Sequence, residues 1–154
     1  MPTDAHQEDV RRALHRAALL YRHFAETLDR ELGREKALEL ITKTVWSYGT
    51  AVGEAARERT GAKGLPLTPE NFSDDLPSIG WVFRAATMDG EAVTEITACA
   101  FAEEWADMDP ELARPYCFVD QSKMEAYNPE FTCVHLMNRL DGDAFCRLAV
   151  RKKD

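Results

Sequence analysis

The chain has 154 residues, of which 45% are hydrophobic, and it carries a formal net charge of −8 at pH 7. This length and composition are typical of one folded domain spanning residues 1–154, and they exclude a disordered chain. The negative charge repels phosphate backbones and no apolar run reaches about eighteen residues, so neither a nucleic-acid partner nor a membrane span is expected.

Two long helices are predicted in residues 1–64. Apolar residues recur at three- and four-residue steps over 7–32 and again over 35–60, and Gly33 separates the two segments. This pattern indicates an antiparallel helical hairpin. The predicted apolar stripes are Val10, Leu14, Ala17, Tyr21, Phe24 and Leu28 on the first helix, and Leu38, Ile41, Val45, Tyr48, Val52 and Ala55 on the second.

Gly49 and Gly53 lie four residues apart inside the second predicted helix. Each glycine destabilises a helix interior by roughly 1 kcal/mol relative to alanine. Two explanations are open: close approach of a neighbouring helix, or room for a ligand beside Tyr48.

The segment 65–154 is predicted to contain two β-hairpins. A short helix over 69–75 precedes them, because Thr68-Pro69 is a typical helix start. Asp89-Gly90 indicates a two-residue type I′ turn. That turn pairs Phe83 with Ile96, Trp81 with Ala98 and Arg84 with Glu95, and it gives a core face of Trp81, Phe83, Ile96 and Ala98.

The second hairpin is predicted around Asp141-Gly142. A two-residue loop there pairs Met137 with Cys146, His135 with Leu148, and Cys133 with Val150. A helical segment over 101–127 joins the hairpins, with a start at Asp109-Pro110 and a division at Pro115. The fold class is therefore α+β, with the helical hairpin packed on an antiparallel sheet of two β-hairpins.

Asp120 is the first candidate for chemistry. It shares a predicted inward helix face with Cys117, Met124 and Tyr127, whereas Ser122 and Glu125 are predicted to face outward. Carboxylates are rarely buried unless they are paired or hydrogen-bonded. Asp120 is thus either a structural cap or partner of an arginine, or a general base or orienting group with a pKa shifted by burial.

His135 and Cys146 form the second candidate pair. In the predicted register they are diagonal neighbours about 7–8 Å apart, and a zinc ion could bridge them if Cys117 or Asp120 supplies a third ligand. The alternative is a core histidine beside cysteines that act as small hydrophobic residues. The N-terminal residues lack a basic start and an apolar segment typical of a secretory signal, so we expect a cytoplasmic protein whose four cysteines are thiols or ligands.

The C-terminal motifs together resemble the L-2-amino-thiazoline-4-carboxylic acid hydrolase family. The resemblance is carried by Cys99, Asp109-Pro110-Glu111-Leu112, Cys117-Phe118-Val119-Asp120, Tyr127-Asn128-Pro129 and Asp141-Gly142-Asp143-Ala144-Phe145-Cys146. It implies a hydrolase that opens a cyclic amidine-like ring. More distantly, the pattern is similar to four-vinyl-reductase-type sensor domains, which bind small molecules and can hold zinc through cysteines.

Two mechanisms follow for a small cytoplasmic hydrolase acting on a cyclic C–N or C–S bond. In one, Cys117 attacks the ring carbon while Asp120 or His135 moves protons. In the other, Cys117, His135 and Cys146 hold zinc, the zinc-bound water attacks the ring, and Asp120 is the base. The predicted substrate-binding residues are Asn128, Tyr48 and Trp81.

Two non-catalytic alternatives remain. One is a zinc-stabilised or ligand-binding sensor module, and the other is a helper subunit whose helical hairpin packs on a partner. A small molecule is expected as substrate of the hydrolase or as ligand of the sensor module. Whether the protein forms a homo-oligomer is left open.

Overall fold

The N-terminal part of the chain forms the expected helical hairpin. A computed structural model describes residues 4–73, 76–77 and 79–154. Helix α1 (Asp4–Leu32) and helix α2 (Arg34–Ala62) flank Gly33, whose φ of 79° permits the reversal between them. No helix in the described ranges has the length and apolar character needed to cross a bilayer.

The buried stripe of α1 is rotated from the predicted one. Phe24 is 63% exposed and Ala17 is exposed, whereas Ala18 and Ala25 are buried against α2 and the later helices. The prediction that Phe24 and Ala17 belong to the buried stripe is therefore wrong. The small side chains of Ala18 and Ala25 allow the helices to pack more closely on this face. Leu14, Tyr21 and Leu28 are partly buried against the core, as expected.

The sheet has four antiparallel strands in the order β1-β2-β4-β3. These strands are β1 (Trp81–Met88), β2 (Glu91–Cys99), β3 (Phe131–Met137) and β4 (Cys146–Lys152). With the helices they confirm the predicted α+β class. The two hairpins join through β2 and β4, so Ile96 of the first hairpin pairs with Cys146 of the second.

The first hairpin has the predicted two-residue turn. Asp89 and Gly90 both have positive φ, as a type I′ turn requires. Phe83 pairs with Ile96, and Arg84 pairs with Glu95, which confirms the register near the turn.

A register shift between Val82 and Phe83 alters the far end of this hairpin. Trp81 pairs with Cys99 instead of Ala98, so that predicted pair is wrong. The predicted core face is also incomplete, since Phe83 is 52% exposed. A bulge adds one residue to one strand and turns the side chains beyond it.

The second hairpin has a longer connection than predicted. Residues 138–145 form it, with a 3₁₀ turn at Arg139–Asp141 and Gly142 in the left-handed region. The pairs Cys133–Val150 and His135–Leu148 are confirmed, but Met137 pairs with Arg147 because the register shifts after His135. The predicted Met137–Cys146 pair is therefore wrong.

The segment between the hairpins is helical in three pieces. They are α3 (Ala100–Glu104), α4 (Pro110–Ala113) and α5 (Phe118–Tyr127), with a 3₁₀ turn at Arg114–Cys117 where Pro115 was expected to divide the segment. The predicted helix over 69–75 is a shorter 3₁₀ turn, Pro69–Asn71, and residue 75 lies outside the described residues.

Helix α5 is held tightly against α2 at the two glycines. A Cβ on Gly49 would lie 1.8 Å from Ser122 Oγ, and a Cβ on Gly53 would lie 2.1 Å from the carbonyl oxygen of Lys123. Close approach of a helix is thus the explanation for this pair. Ser122 is only 1% exposed, so the prediction that it faces outward is wrong. Both sides of α5 are covered, one by α2 and the other by the sheet.

The outer face of the sheet buries one carboxylate. Glu95 is 0% exposed and accepts hydrogen bonds from Arg147 and Arg84. Burial raises the pKa of Glu95, but the two arginines outweigh that effect and hold the pKa below its ordinary value of 4.5. A lowered folded-state pKa contributes stability above the unfolded pKa, and this contribution is lost as the pH falls through the folded pKa.

We expect Glu95→Gln to lower the urea midpoint at pH 7 and to flatten the loss of stability with falling pH below about 4.5. In this variant Arg84 and Arg147 lose the buried carboxylate that is their counter-charge. The matched control is Glu91→Gln. Glu91 lies on the same strand as Glu95, and its carboxylate, which pairs with Arg151, is more exposed than that of Glu95. Equal midpoints for the two variants would contradict the role given to Glu95.

Candidate active site

A cavity of about 400 Å³ lies between the inner face of the sheet and helices α2, α3 and α5. Aromatic rings form much of its wall, with Trp81 and Phe101 at 5.5 Å and Phe101 and Tyr116 at 5.2 Å between ring centres. Predicted site residues that line it are Tyr48, Trp81, Cys117, Asp120, His135 and Cys146. The fold therefore brings together residues from five different elements and the 3₁₀ turn before α5.

Three polar side chains of the cavity wall are joined by hydrogen bonds. Asp120 Oδ2 lies 3.0 Å from His135 Nε2, and His135 Nδ1 lies 3.0 Å from Asn138 Nδ2. Asp120 lies on helix α5 and His135 on strand β3, and Asn138 follows directly after β3. The aspartate and histidine that the sequence marked separately are thus direct partners.

The orientation of Asn138 determines the histidine tautomer. Asn138 Oδ1 accepts a hydrogen bond from the Leu140 N–H at 2.9 Å, so its amide nitrogen faces His135. His135 Nδ1 must then accept, and neutral His135 donates from Nε2–H to Asp120. Both ring nitrogens are engaged, and Asn138 is only 1% exposed.

Asn138 also acts on the Cys117 thiol. Burial raises the pKa of this thiol to about 12, and hydrogen bonding to the Asn138 side chain is the largest of the effects that lower it. The second amide proton of Asn138 can point towards the sulfur, since one already points at His135. Cys117 is therefore a protonated thiol beside a donor that favours its anion.

Asp120 is an ion-paired carboxylate. Burial disfavours its charge, but Lys123 at 2.8 Å and His135 outweigh that effect and hold the pKa of Asp120 below its ordinary value. A pKa lowered in this way makes Asp120 a weak base. Of the predicted alternatives, this arrangement fits an orienting role for Asp120. Its partners are Lys123 and His135, and not the arginine that was considered.

The predicted zinc ligands do not form a metal-binding group in this arrangement. Among the residues that the structure describes, no three His, Cys, Asp or Glu side chains are placed to hold a metal ion. His135 uses both nitrogens, and Cys146 Sγ accepts a hydrogen bond from the Arg139 N–H at 3.4 Å. The residues present therefore do not fit zinc.

The three predicted substrate-binding residues separate into two groups. Tyr48 and Trp81 line the cavity, and the ring centres of Tyr48 and Tyr116 lie 6.4 Å apart. Asn128 is not part of the lining. Its amide donates to the Leu67 carbonyl at 2.7 Å and accepts from the Glu130 N–H at 2.9 Å. The assignment of Asn128 to substrate binding has no support in this geometry, because both ends of its amide serve the backbone.

Asn138 and Lys123 are site residues that the sequence analysis missed. The signals were present but weak: Asn138 is a turn-forming residue at the end of a strand, and Lys123 is spaced i,i+3 from Asp120 on one helix. Neither signal indicates that the side chain reaches the cavity. That placement depends on the long connection after β3 and on the packing of α5.

Comparison with known proteins gives one informative match. A family model described as L-2-amino-thiazoline-4-carboxylic acid hydrolase matches residues 11–150. Searches of curated proteins and of solved structures each give no match. The matched range contains every residue of the cavity wall named above.

Proposed function

The chain belongs to the L-2-amino-thiazoline-4-carboxylic acid hydrolase family, and on that premise we propose that it hydrolyses a C–N or C–S bond of a cyclic amidine-like ring. The observation that carries the proposal is the position of Cys117 in the same cavity wall as the hydrogen-bonded side chains of Asp120, His135 and Asn138. This arrangement places a potential nucleophile in one wall with a fixed polar network.

The proposed first step uses Cys117 as the nucleophile. Its sulfur attacks the carbon between the two ring heteroatoms, and its proton moves to the ring nitrogen as the C=N electron pair shifts to that nitrogen. The C–S bond of the ring then breaks, and the ring sulfur leaves with the bonding pair and takes a proton from the exocyclic amino group. The enzyme now carries an isothiourea on Cys117.

Water completes the reaction. Its oxygen attacks the same carbon, the bond to Cys117 Sγ breaks, and the cysteine sulfur leaves with the bonding electrons and recovers a proton from the water. The net change is addition of one water to the ring, which gives a urea and a free thiol. A thiol with a raised pKa suits this sequence, because a basic ring nitrogen accepts its proton during attack.

Asp120 and His135 act as positioning residues in this proposal. The Asn138 amide selects the Nε2–H tautomer of His135, the Asp120 carboxylate accepts from that Nε2–H, and His135 Nδ1 in turn helps to hold the amide of Asn138 in place. The remaining amide proton of Asn138 stabilises negative charge on the Cys117 sulfur during attack. A cytoplasmic location is part of the proposal, since that compartment keeps Cys117 reduced.

A non-catalytic ligand-binding role is the second candidate. It is favoured by the thiol pKa of about 12 and by the engagement of both His135 nitrogens, which leave no strong base available among the described residues of the wall. In that case the cavity binds a small molecule reversibly and returns it unchanged.

The experiment that separates these candidates is capture of the isothiourea. Purified protein is mixed with L-2-amino-thiazoline-4-carboxylate, quenched in acid within milliseconds to seconds, and digested for peptide mass spectrometry. We expect the substrate mass to be added to the peptide that contains Cys117 and to none of the peptides with Cys99, Cys133 or Cys146. Ligand binding without any adduct or product would support the second candidate.

A further inference from the structure

The shape and charge of the cavity indicate which substrates the proposed hydrolase accepts. Resting on the proposed function, we propose that the substrate is a neutral or cationic amidine-like ring that carries an apolar or aromatic substituent. The free amino-thiazoline carboxylate of the family name is then a poor substrate. Three observations support this inference: volume, charge and the side chains at the opening.

The cavity is large for the ring alone. Its volume of about 400 Å³ lies in the range of sites that enclose drug-sized ligands. An amino-thiazoline carboxylate has only nine non-hydrogen atoms and leaves most of that volume to water. A substituent on the ring carboxyl group fills the remaining space and buries additional apolar wall.

The charges of the wall do not favour a free carboxylate. Among the lining residues that the structure describes, Asp120 and Lys123 are the two with permanent charges, and they pair with each other at 2.8 Å. A substrate carboxylate near this pair would compete with Asp120 for Lys123. Burying a charge without a compensating partner is costly, so a neutral or cationic ligand is favoured.

Apolar side chains surround the opening. Phe83 of β1, Val150 of β4 and Tyr48 of α2 all line the cavity and are all exposed. Phe83 is half exposed although it lies on the inner face of the sheet, opposite Ile96. These side chains would contact a substituent that extends from the ring, while Cys117 and Asn138 contact the ring itself.

A matched pair of ligands tests the inference. The ligands are L-2-amino-thiazoline-4-carboxylate and its N-benzyl amide, which share the ring and differ in charge and apolar substituent. Dissociation constants are measured by calorimetry on the Cys117→Ser protein, and ring opening is followed on the wild type. We expect the benzyl amide to bind at least about tenfold more tightly.

Two phenylalanine variants locate the effect. Phe83→Ser should remove most of the preference for the benzyl amide. Phe24→Ser alters an equally exposed phenylalanine of α1 outside the cavity and should leave the preference unchanged. If Cys117→Ser does not fold, the same constants are measured on the Cys117→Ala variant.

The outcomes separate the inference from the proposed function. Equal affinities, or tighter binding of the carboxylate, would overturn the inference even if both rings are opened. A preference for the benzyl amide that Phe83→Ser removes would support it even if neither ring is opened. Absence of ring opening counts against the proposed function alone, since the affinity ratio is measured independently.

Discussion

Replacement of Cys117 by serine is expected to lower kcat/KM for ring opening by at least about a thousandfold. The serine hydroxyl is expected to occupy the same position and can accept a hydrogen bond from Asn138, but it is a far weaker nucleophile than sulfur. The midpoint of urea unfolding should change little. Release of the ring thiol, followed with a thiol reagent under pseudo-first-order conditions, measures the rate.

Cys133→Ser is the comparison for this variant. Burial raises the pKa of Cys133 to about 12, as it does for Cys117, and Cys133 also lines the cavity. Its sulfur makes no contact with Asn138 among the described interactions, so we expect a much smaller loss of activity. Equal losses in the two variants would indicate that the cysteines serve packing, and full activity of Cys117→Ser would exclude it as the nucleophile.

Gly53→Ala is expected to destabilise the protein by about 3 kcal/mol, at the upper end of the usual cost of overpacking. The added methyl group would lie 2.1 Å from a backbone oxygen of α5, and a backbone atom in a helix cannot move away alone. Helix α5 must therefore shift relative to α2, and Asp120 moves with it. Urea unfolding gives the free energy, and ring opening shows the effect on the site.

Gly61→Ala is the matched control, because it lies in the same helix with nothing within 4 Å of its added methyl group. Helix propensity alone favours this change by up to ~1 kcal/mol. We expect its stability to be unchanged or slightly higher. A loss in Gly61→Ala as large as that in Gly53→Ala would mean that the contact with α5 is not the cause.

Local signals in the sequence were sufficient for much of the fold. Apolar periodicity with Gly33 located the helical hairpin, and Asp89-Gly90 located a hairpin whose register near the turn is correct. The family resemblance is confirmed over residues 11–150. These features depend on short stretches of chain, where propensity and turn chemistry determine the conformation.

The errors arise where longer-range packing decides the conformation. A bulge after Val82 changed the partner of Trp81, and an eight-residue connection replaced the expected two-residue loop before Cys146. That connection buries Asn138 beside Cys117. Ser122 was predicted to be exposed because a serine opposite an apolar helix face usually faces solvent. In the structure the glycines of α2 allow that helix to pack directly on Ser122.

Product analysis with the intact protein tests ring-opening hydrolysis most directly. Purified protein is incubated with L-2-amino-thiazoline-4-carboxylate and, separately, with its N-benzyl amide, and the mixtures are analysed by liquid chromatography and mass spectrometry. We expect a ring-opened product that is one water heavier and carries a free thiol, above the level of a Cys117→Ser control. Both compounds recovered unchanged, from folded protein that binds them, would contradict hydrolysis and support a ligand-binding module.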